Sequence, residues 1–438
     1  MSTTPSSPAK TSIWRSGIIL SGALQRLGHY GIRSLLILYL IDSLHLPAQQ
    51  AGQVYGLFYG SFFLTAILGG ILGSARGYGS AGALGLLLML AGHVGLFWGD
   101  STVMIVALAV YTLGFGLFDT NLSVAVARVY TEERLRDSAY TVLYTAINIG
   151  AAIGPLLFGY LALRVGARYS FLLGGIWPLL AFWLFRTATR RHASSAVESG
   201  GKPATASSSP RAADSGSASS AHSPWLFIAV LGLAGIVFAA VFDQLGSSVT
   251  LLARRYVQRD LGFAVLPAGF VQSINPFFVI LLGPLFATLM KGPASERRWS
   301  QAELLAIGVV FLGAGFGVLS LSTIGINGNG QDVMVSWIWV LLAIFLATIG
   351  ELLFAPIAVS LVSGLAPPRR QALVVGVWTA VYGAGAYLSG TMAGLMESLG
   401  RFSLLLGVSA AACWAVALLL WVTSARYEKA PAALRTEG

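Results

Sequence analysis

Apolar runs of roughly 20 residues, almost free of charge, recur along the chain, and they limit what it can fold into more than any other feature. Runs such as 80–98, 301–321 and 401–424 are long enough for a helix to cross the hydrocarbon layer of a bilayer, about 30 Å at 1.5 Å per residue. Lipid supplies no hydrogen bonds, so only helices or closed barrels satisfy every backbone amide there. Barrel strands would alternate polar and apolar residues over segments of about 10 residues, and these runs are continuous. Charged residues occupy 10% of the 438 positions, against about 25% in a soluble domain, too few to coat a packed globule in water. The chain reads as an all-α polytopic membrane protein.

Twelve spans are expected, at 17–41, 50–73, 80–98, 101–127, 137–163, 168–186, 225–253, 266–290, 301–321, 334–362, 371–396 and 401–424. The basic residues test that count. With both termini cytoplasmic, nineteen Lys and Arg fall on the inner side, and only Arg164, Arg168, Arg254, Arg255, Arg259 and Arg401 fall on the outer. A missed span would have swapped the later loops and blurred this asymmetry. The net charge of +10 therefore belongs to topology-setting loops, and no nucleic-acid partner is expected. The first span is too long for a signal-peptide core and lacks a small-residue cleavage site, so it reads as retained. Cys413, the single cysteine, lies in the last run and reads as a small hydrophobe.

Residues 193–223 are mostly Ser, Ala and Gly, without apolar periodicity, and read as a flexible linker. The expected organisation is a cytoplasmic tail (1–16), a six-helix bundle (17–186), a cytoplasmic linker (187–224), a second six-helix bundle (225–424) and a cytoplasmic tail (425–438). Six plus six is how two-bundle transporters are built, with the substrate near the midplane between the halves. Among the 52 glycines, Gly69-Gly70, Gly114/Gly116, Gly150/Gly154 and Gly383/Gly385 lie inside spans as small residues that let helices approach closely. Gly313/Gly315/Gly317 has no strand before it, so packing explains it better than a nucleotide loop. Pro155, Pro178, Pro276, Pro284 and Pro356 also lie in spans, where each frees a backbone carbonyl.

Five charges lie well inside spans: Arg26 and Arg33 in the first, Asp119 in the fourth, Asp243 in the seventh and Glu351 in the tenth. Each costs about 2.5–3.5 kcal/mol on insertion scales, and such residues usually line a water-filled path. Arg26, His29, Tyr30 and Arg33 follow at spacings of three and four, so they share one helical face that cannot look at lipid. Gln25, Asn148, Gln244 and Asn275 accompany them. All four lysines lie outside the spans. His93 stands on an apolar face and reads as a packing histidine, and Asp42, Asp100 and Glu397 sit at span ends.

Four segments resemble the proton-dependent oligopeptide transporter family of the major facilitator superfamily. FDQLGSSVTLLARR from Phe242 is similar to the family's seventh-helix pattern, and QSINP (Gln272–Pro276) to its eighth. GELLFAPIAVSLVSGLAPPR from Gly350 resembles the tenth-helix Gly-Glu-Leu pattern, and YTAINIG (Tyr144–Gly150) the fifth-helix signature. The resemblance implies the major facilitator fold, with twelve helices in two six-helix bundles. It also implies that Arg33 binds a substrate carboxylate and Glu351 a substrate amine, with Tyr30, Asn148 and Asn275 beside them, and that Asp243 takes up protons. The sequence departs from the pattern in the first helix, where the two family glutamates are Gly22 and Gln25 and the first tyrosine is His29. In the fourth helix the family's Lys-Pro-Asn is Asp119-Thr120-Asn121, and a second-helix tyrosine is Phe63.

These changes balance in charge. The family pattern sets four acids against two arginines and a lysine; here Asp119, Asp243 and Glu351 face Arg26 and Arg33, and both sum to −1. An unpaired buried guanidinium is costly, so Asp119 is expected to replace the missing glutamates as partner of Arg26. For His29 two readings stand: a proton carrier, since imidazole titrates near pH ~6.5, or a neutral group hydrogen-bonded to a neighbouring helix. The expected function is secondary active, proton-coupled transport of small peptides or peptide-like zwitterions by alternating access. Arg26, Asp119, Asp243 and His29 would serve coupling and gating. The alternatives are transport of a non-peptide amino-containing metabolite, antibiotic or siderophore-like, and a transporter-like sensor. No His-Glu-x-x-His, no Gly-x-Ser-x-Gly, no metal-ligand cluster and no ATP loop appears, so no enzyme, metal or cofactor is expected. The partners expected are the small-molecule substrate, protons and the lipid bilayer, with the chain a monomer in a bacterial inner membrane.

Overall fold

The computed structural model describes residues 8–428, apart from 99, 131, 199–224, 263, 290–298, 327–333 and 365–370. The described residues form fourteen α-helices: α1 (Pro8–Leu38), α2 (Ala48–Arg76), α3 (Tyr78–Trp98), α4 (Ser101–Val129), α5 (Glu133–Val165), α6 (Ala167–Gly174), α7 (Ile176–Glu198), α8 (Trp225–Phe242), α9 (Ser248–Arg255), α10 (Val271–Leu289), α11 (Gln301–Ser322), α12 (Trp337–Gly364), α13 (Gln371–Leu399) and α14 (Phe402–Glu428). Taking α6 with α7 and α8 with α9 as broken single spans recovers the twelve expected spans. Ten of these are long and apolar enough to cross a membrane by length and composition. The others are α1, interrupted by Gln25, Arg26, His29 and Arg33, and α13, rich in small and polar residues.

Local chemistry sets the helix ends. The Asp100 carboxylate accepts from the amides of Thr102 (2.8 Å) and Val103 (3.1 Å) and so caps α4. Ser300 and Glu303 make a reciprocal capping box at the start of α11. Gly166, at φ +92°, turns the chain from α5 into α6 in a conformation that a Cβ would strain. The first span closes in a π-helical turn, Tyr39–Ser43.

The seventh span, read from the sequence as one helix, is broken. α8 ends at Phe242, a single 3-10 turn covers Asp243–Leu245, and α9 begins at Ser248. At its other edge the expected linker also differs, because α7 runs on to Glu198; the rest of it, and the C-terminal tail beyond 428, lie outside the described residues.

The chain divides into two compact units, residues 1–45 with 61–207, and residues 46–60 with 208–438. In the first, α1 packs on α5 and α7, α3 on α4, and α3 on α7. In the second the same positions pair: α8 on α13 and α14, α11 on α12, and α11 on α14. Five spans of each unit therefore pair by one plan, as in transporters built from internal repeats.

Glycine makes the closest of these contacts possible. A Cβ on Gly85 of α3 would lie 2.6 Å from the Gly114 carbonyl oxygen of α4, and one on Gly308 of α11 would lie 2.9 Å from the Gly350 carbonyl oxygen of α12. Gly150 and Gly154 seat α5 on the α1 backbone at Ala23 and Leu27. Gly313 and Gly317 receive Trp414, and Gly315 meets Ala343, so that triplet packs helices as expected. The first turns of α2 belong to the second unit, where Gly52 and Gly56 lie against Gly390 and Tyr387 of α13. Cys413 is fully buried.

Candidate functional site

In the first unit the polar face of α1 meets α4. Arg26 donates from Nη2 to Asp119 Oδ1 at 2.7 Å, the pairing expected from charge balance. The arginine side chain is 19% exposed and the aspartate 38%, so the pair is desolvated on one side only. The guanidinium also lies 4.8 Å over the ring of Phe115, one turn before Asp119 on α4. Arg33 is 6% exposed and stands 5.5 Å from the ring of Tyr30.

His29 is buried in an aromatic cage. Ring centroids of Phe115, Phe62, Tyr30 and Tyr111 lie 4.5, 5.0, 5.5 and 6.2 Å from its own. Asn121 holds α2 to α4, donating to the Gly69 carbonyl (2.9 Å) while also bonding Leu117 of its own helix. Asn148 behaves differently. Its amide donates to the Tyr144 carbonyl (2.9 Å) one turn back on α5, and among the described residues it joins no other expected site group.

The second unit builds its site at the break in the seventh span. Asp243 is 7% exposed on the 3-10 turn, and the groups around it fasten the unwound backbone. Gln272 of α10 donates to the Gly246 carbonyl and to Thr250 Oγ1, both at 3.1 Å. Gln244 donates to Ser409 Oγ (3.2 Å) and accepts from Ser248 Oγ (3.2 Å). Ser247 donates to the Ser389 carbonyl of α13 (3.2 Å). The residues of the seventh- and eighth-helix patterns thus hold a discontinuous helix in register, as freed backbone groups in lipid require.

One helix away, Asn275 donates from Nδ2 to Glu351 Oε2 (2.8 Å) and to Thr348 Oγ1 (3.0 Å), linking α10 to α12. The half-buried Tyr382 of α13 lies within electrostatic reach of both Asp243 and Glu351. Phe238 and Phe354 stack 4.1 Å apart beside this cluster, with Tyr382 6.4 Å from Phe238. Tyr382, Thr348 and Gln272 were missed as site residues. Only Gln272 carried a signal, as the first residue of QSINP.

One acid assignment changes and one histidine assignment stands. His93 is a packing histidine, fully buried with its ring 5.5 Å from Tyr111 and 6.2 Å from Phe158. Glu397 is no plain span end, since its carboxylate is 3% exposed and faces Arg255 Nη2 at 2.9 Å and Arg254 Nη2 at 4.0 Å. No group of three or more His, Cys, Asp or Glu able to hold a metal ion occurs among the described residues.

Charged groups buried within a duplicated bundle of spanning helices define a membrane transporter rather than an enzyme. The chain belongs to the Major Facilitator Superfamily, whose profile matches residues 18–330. It is 28% identical to the peptide transporter YePEPT of Yersinia enterocolitica, over 87% of this chain and 88% of that protein. It is 26% identical to dipeptide and tripeptide permease A of Erwinia pyrifoliae, over 85% and 83%. In fold it superposes on a crystal structure of a peptide transporter named POT in complex with sulfate, with a TM-score of 0.79, 20% identity and 94% of each chain covered.

Proposed function

We propose that this multi-pass protein is a proton-driven symporter of small peptides or peptide-like zwitterions, working by alternating access. The observation that carries the reading is the pair of carboxylates in the second unit: Glu351 held by Asn275 and Asp243 at the helix break, both within electrostatic reach of Tyr382. An ammonium group needs a fixed carboxylate, and a proton needs a second one that can titrate independently. Glu351 takes the first role and Asp243 the second. Arg33, steadied by Tyr30, takes the ligand carboxylate, while Asn148 supplies a polar contact from α5. Arg26 and Asp119 couple movement of α1 to α4, and His29, inside its aromatic cage, is the proton carrier beside the substrate. The relatives named as peptide transporters and permeases support the substrate class. The chain works as a monomer in a bacterial inner membrane with both termini cytoplasmic.

A second reading has one observation in its favour. Asp119, where the oligopeptide pattern carries lysine, removes a cation from the first unit and engages Arg26 at 2.7 Å. A site with fewer cations suits a non-peptide amino compound better than a free peptide carboxylate.

Uptake of labelled dialanine into proteoliposomes under an imposed proton gradient separates the two. Gradient-driven accumulation that Glu351→Gln abolishes supports the peptide reading. No accumulation by folded, inserted protein refutes it and leaves the amino metabolite.

A further inference from the structure

The core of the first unit contains polar groups that the transport route above does not use. His93 of α3 is fully buried, and its Nδ1 lies 2.9 Å from the Phe171 carbonyl oxygen. A carbonyl only accepts, so Nδ1 carries the hydrogen and Nε2 of the neutral ring presents a lone pair. Gln25 of α1 is also fully buried, with its amide nitrogen 3.9 Å from the Met89 sulfur. The thioether is an acceptor, so it selects the nitrogen and turns Oε1 away as a second bare acceptor. Among the described residues, neither His93 Nε2 nor Gln25 Oε1 meets a hydrogen-bond donor.

The two acceptors share one seam. Met89 and His93 are one turn apart on α3, where Gln25 of α1 meets Met89 and Gly28 of α1 meets His93. A Cβ on Gly28 would lie 3.4 Å from His93 Nε2, so the ring nitrogen is aimed at the α1 backbone where glycine leaves room. Tyr111 of α4 closes the seam, its ring 5.5 Å from His93 and 6.2 Å from His29. The charged and titratable groups around it are Arg26, His29 and Arg33 from α1 and Tyr111 from α4. α5, α6 and α7 bring Phe158, Phe171 and Trp177, which carry no charge.

We propose that a buried water molecule binds in this seam between α1 and α3, donating one hydrogen to His93 Nε2 and the other to Gln25 Oε1. Buried polar groups in folded proteins find a partner, and water is the smallest molecule that offers two donors to two buried acceptors on neighbouring helices. The site is independent of the transport reading, and its consequence reaches further. The face of α1 that carries Arg26, His29 and Arg33 then meets α3 through a mobile bridge beside the Gln25–Met89 bond, so α1 can shift without leaving a buried acceptor bare.

X-ray hydroxyl-radical labelling of the full-length protein in lipid nanodiscs, read by mass spectrometry, tests this. The radicals form from water in place, so a buried side chain beside bound water is oxidised and one in a dry core is not. Met89 should be oxidised well above Met104, which is equally buried. In Gly28→Ala, whose new methyl takes the bridging space, Met89 should fall to the level of Met104. Met89 no more reactive than Met104 in the wild type, or unchanged labelling in Gly28→Ala, overturns the proposal. A melting curve gives an independent sign. The added Cβ meets His93 Nε2, Trp177 and Pro178 only at ordinary contact, 3.4, 3.5 and 3.7 Å, and alanine favours helix over glycine. A dry seam would therefore gain stability. A lower melting temperature supports a displaced water, and a higher one overturns it.

Discussion

Asp119→Asn is the most informative single change. It removes one charge, keeps the shape of the side chain, and leaves the Arg26 guanidinium beside a neutral amide in place of the carboxylate at 2.7 Å. A fully buried pair broken on one side costs about 3–5 kcal/mol, and an exposed pair costs about 0–1 kcal/mol. With side chains 19% and 38% exposed, this pair lies between those limits, and about 1–2 kcal/mol is expected after solvent screening. The Phe115 ring, 4.8 Å from the guanidinium, remains and offsets part of the loss. Thermal denaturation in detergent should therefore show Asp119→Asn clearly less stable than wild type. Adding Arg26→Gln should recover most of that deficit, a coupling of about 1–2 kcal/mol in a double-mutant cycle. Transport should not recover in the double variant, because both members of the coupling pair are gone. Wild-type uptake by Asp119→Asn would refute the argument, and so would additive losses in the cycle.

Three further outcomes follow from the same geometry. Asn275→Leu removes the donors to Glu351 and Thr348. It should cost about 1–2 kcal/mol of stability and raise the substrate KM several-fold, checked by melting curves and uptake kinetics. Glu397→Gln takes away the buried carboxylate that Arg254 and Arg255 face; a loss of about 1–3 kcal/mol is expected in thermal denaturation. Gly390→Ala would bring a Cβ to 2.5 Å from the Gly56 amide nitrogen, a backbone atom that cannot swing aside. A destabilisation of about 1–3 kcal/mol should appear as a lower melting temperature, whereas an unchanged one would mean that α2 and α13 separate freely.

Helix number and order were legible in the chain because lipid imposes them. A span must be about 20 apolar residues long, and lysines and arginines mark its inner ends. The Arg26–Asp119 pair was legible for a related reason: charges inside spans are so few that balance nearly dictates who pairs with whom. The break at Asp243 was not legible. The residues from 225 to 253 read as one span, and the unwinding depends on Gln272, Ser389 and Ser409, which reach it from 25 or more positions away. Tyr382 was hidden similarly, as one of 15 tyrosines until α13 packed on α8 and brought it toward both carboxylates.

The sequence by itself determined the solvent, the number of spans and the small set of charged residues that a transporter must place inside them. Those follow from transfer free energies, which depend on each segment alone. Tertiary structure decided which glycines touch which backbones, where the seventh span unwinds, that Glu397 is enclosed by two arginines, and that His93 and Gln25 present bare acceptors to one seam. Those follow from contacts between segments far apart in the chain, and no periodicity within a single helix encodes its neighbour.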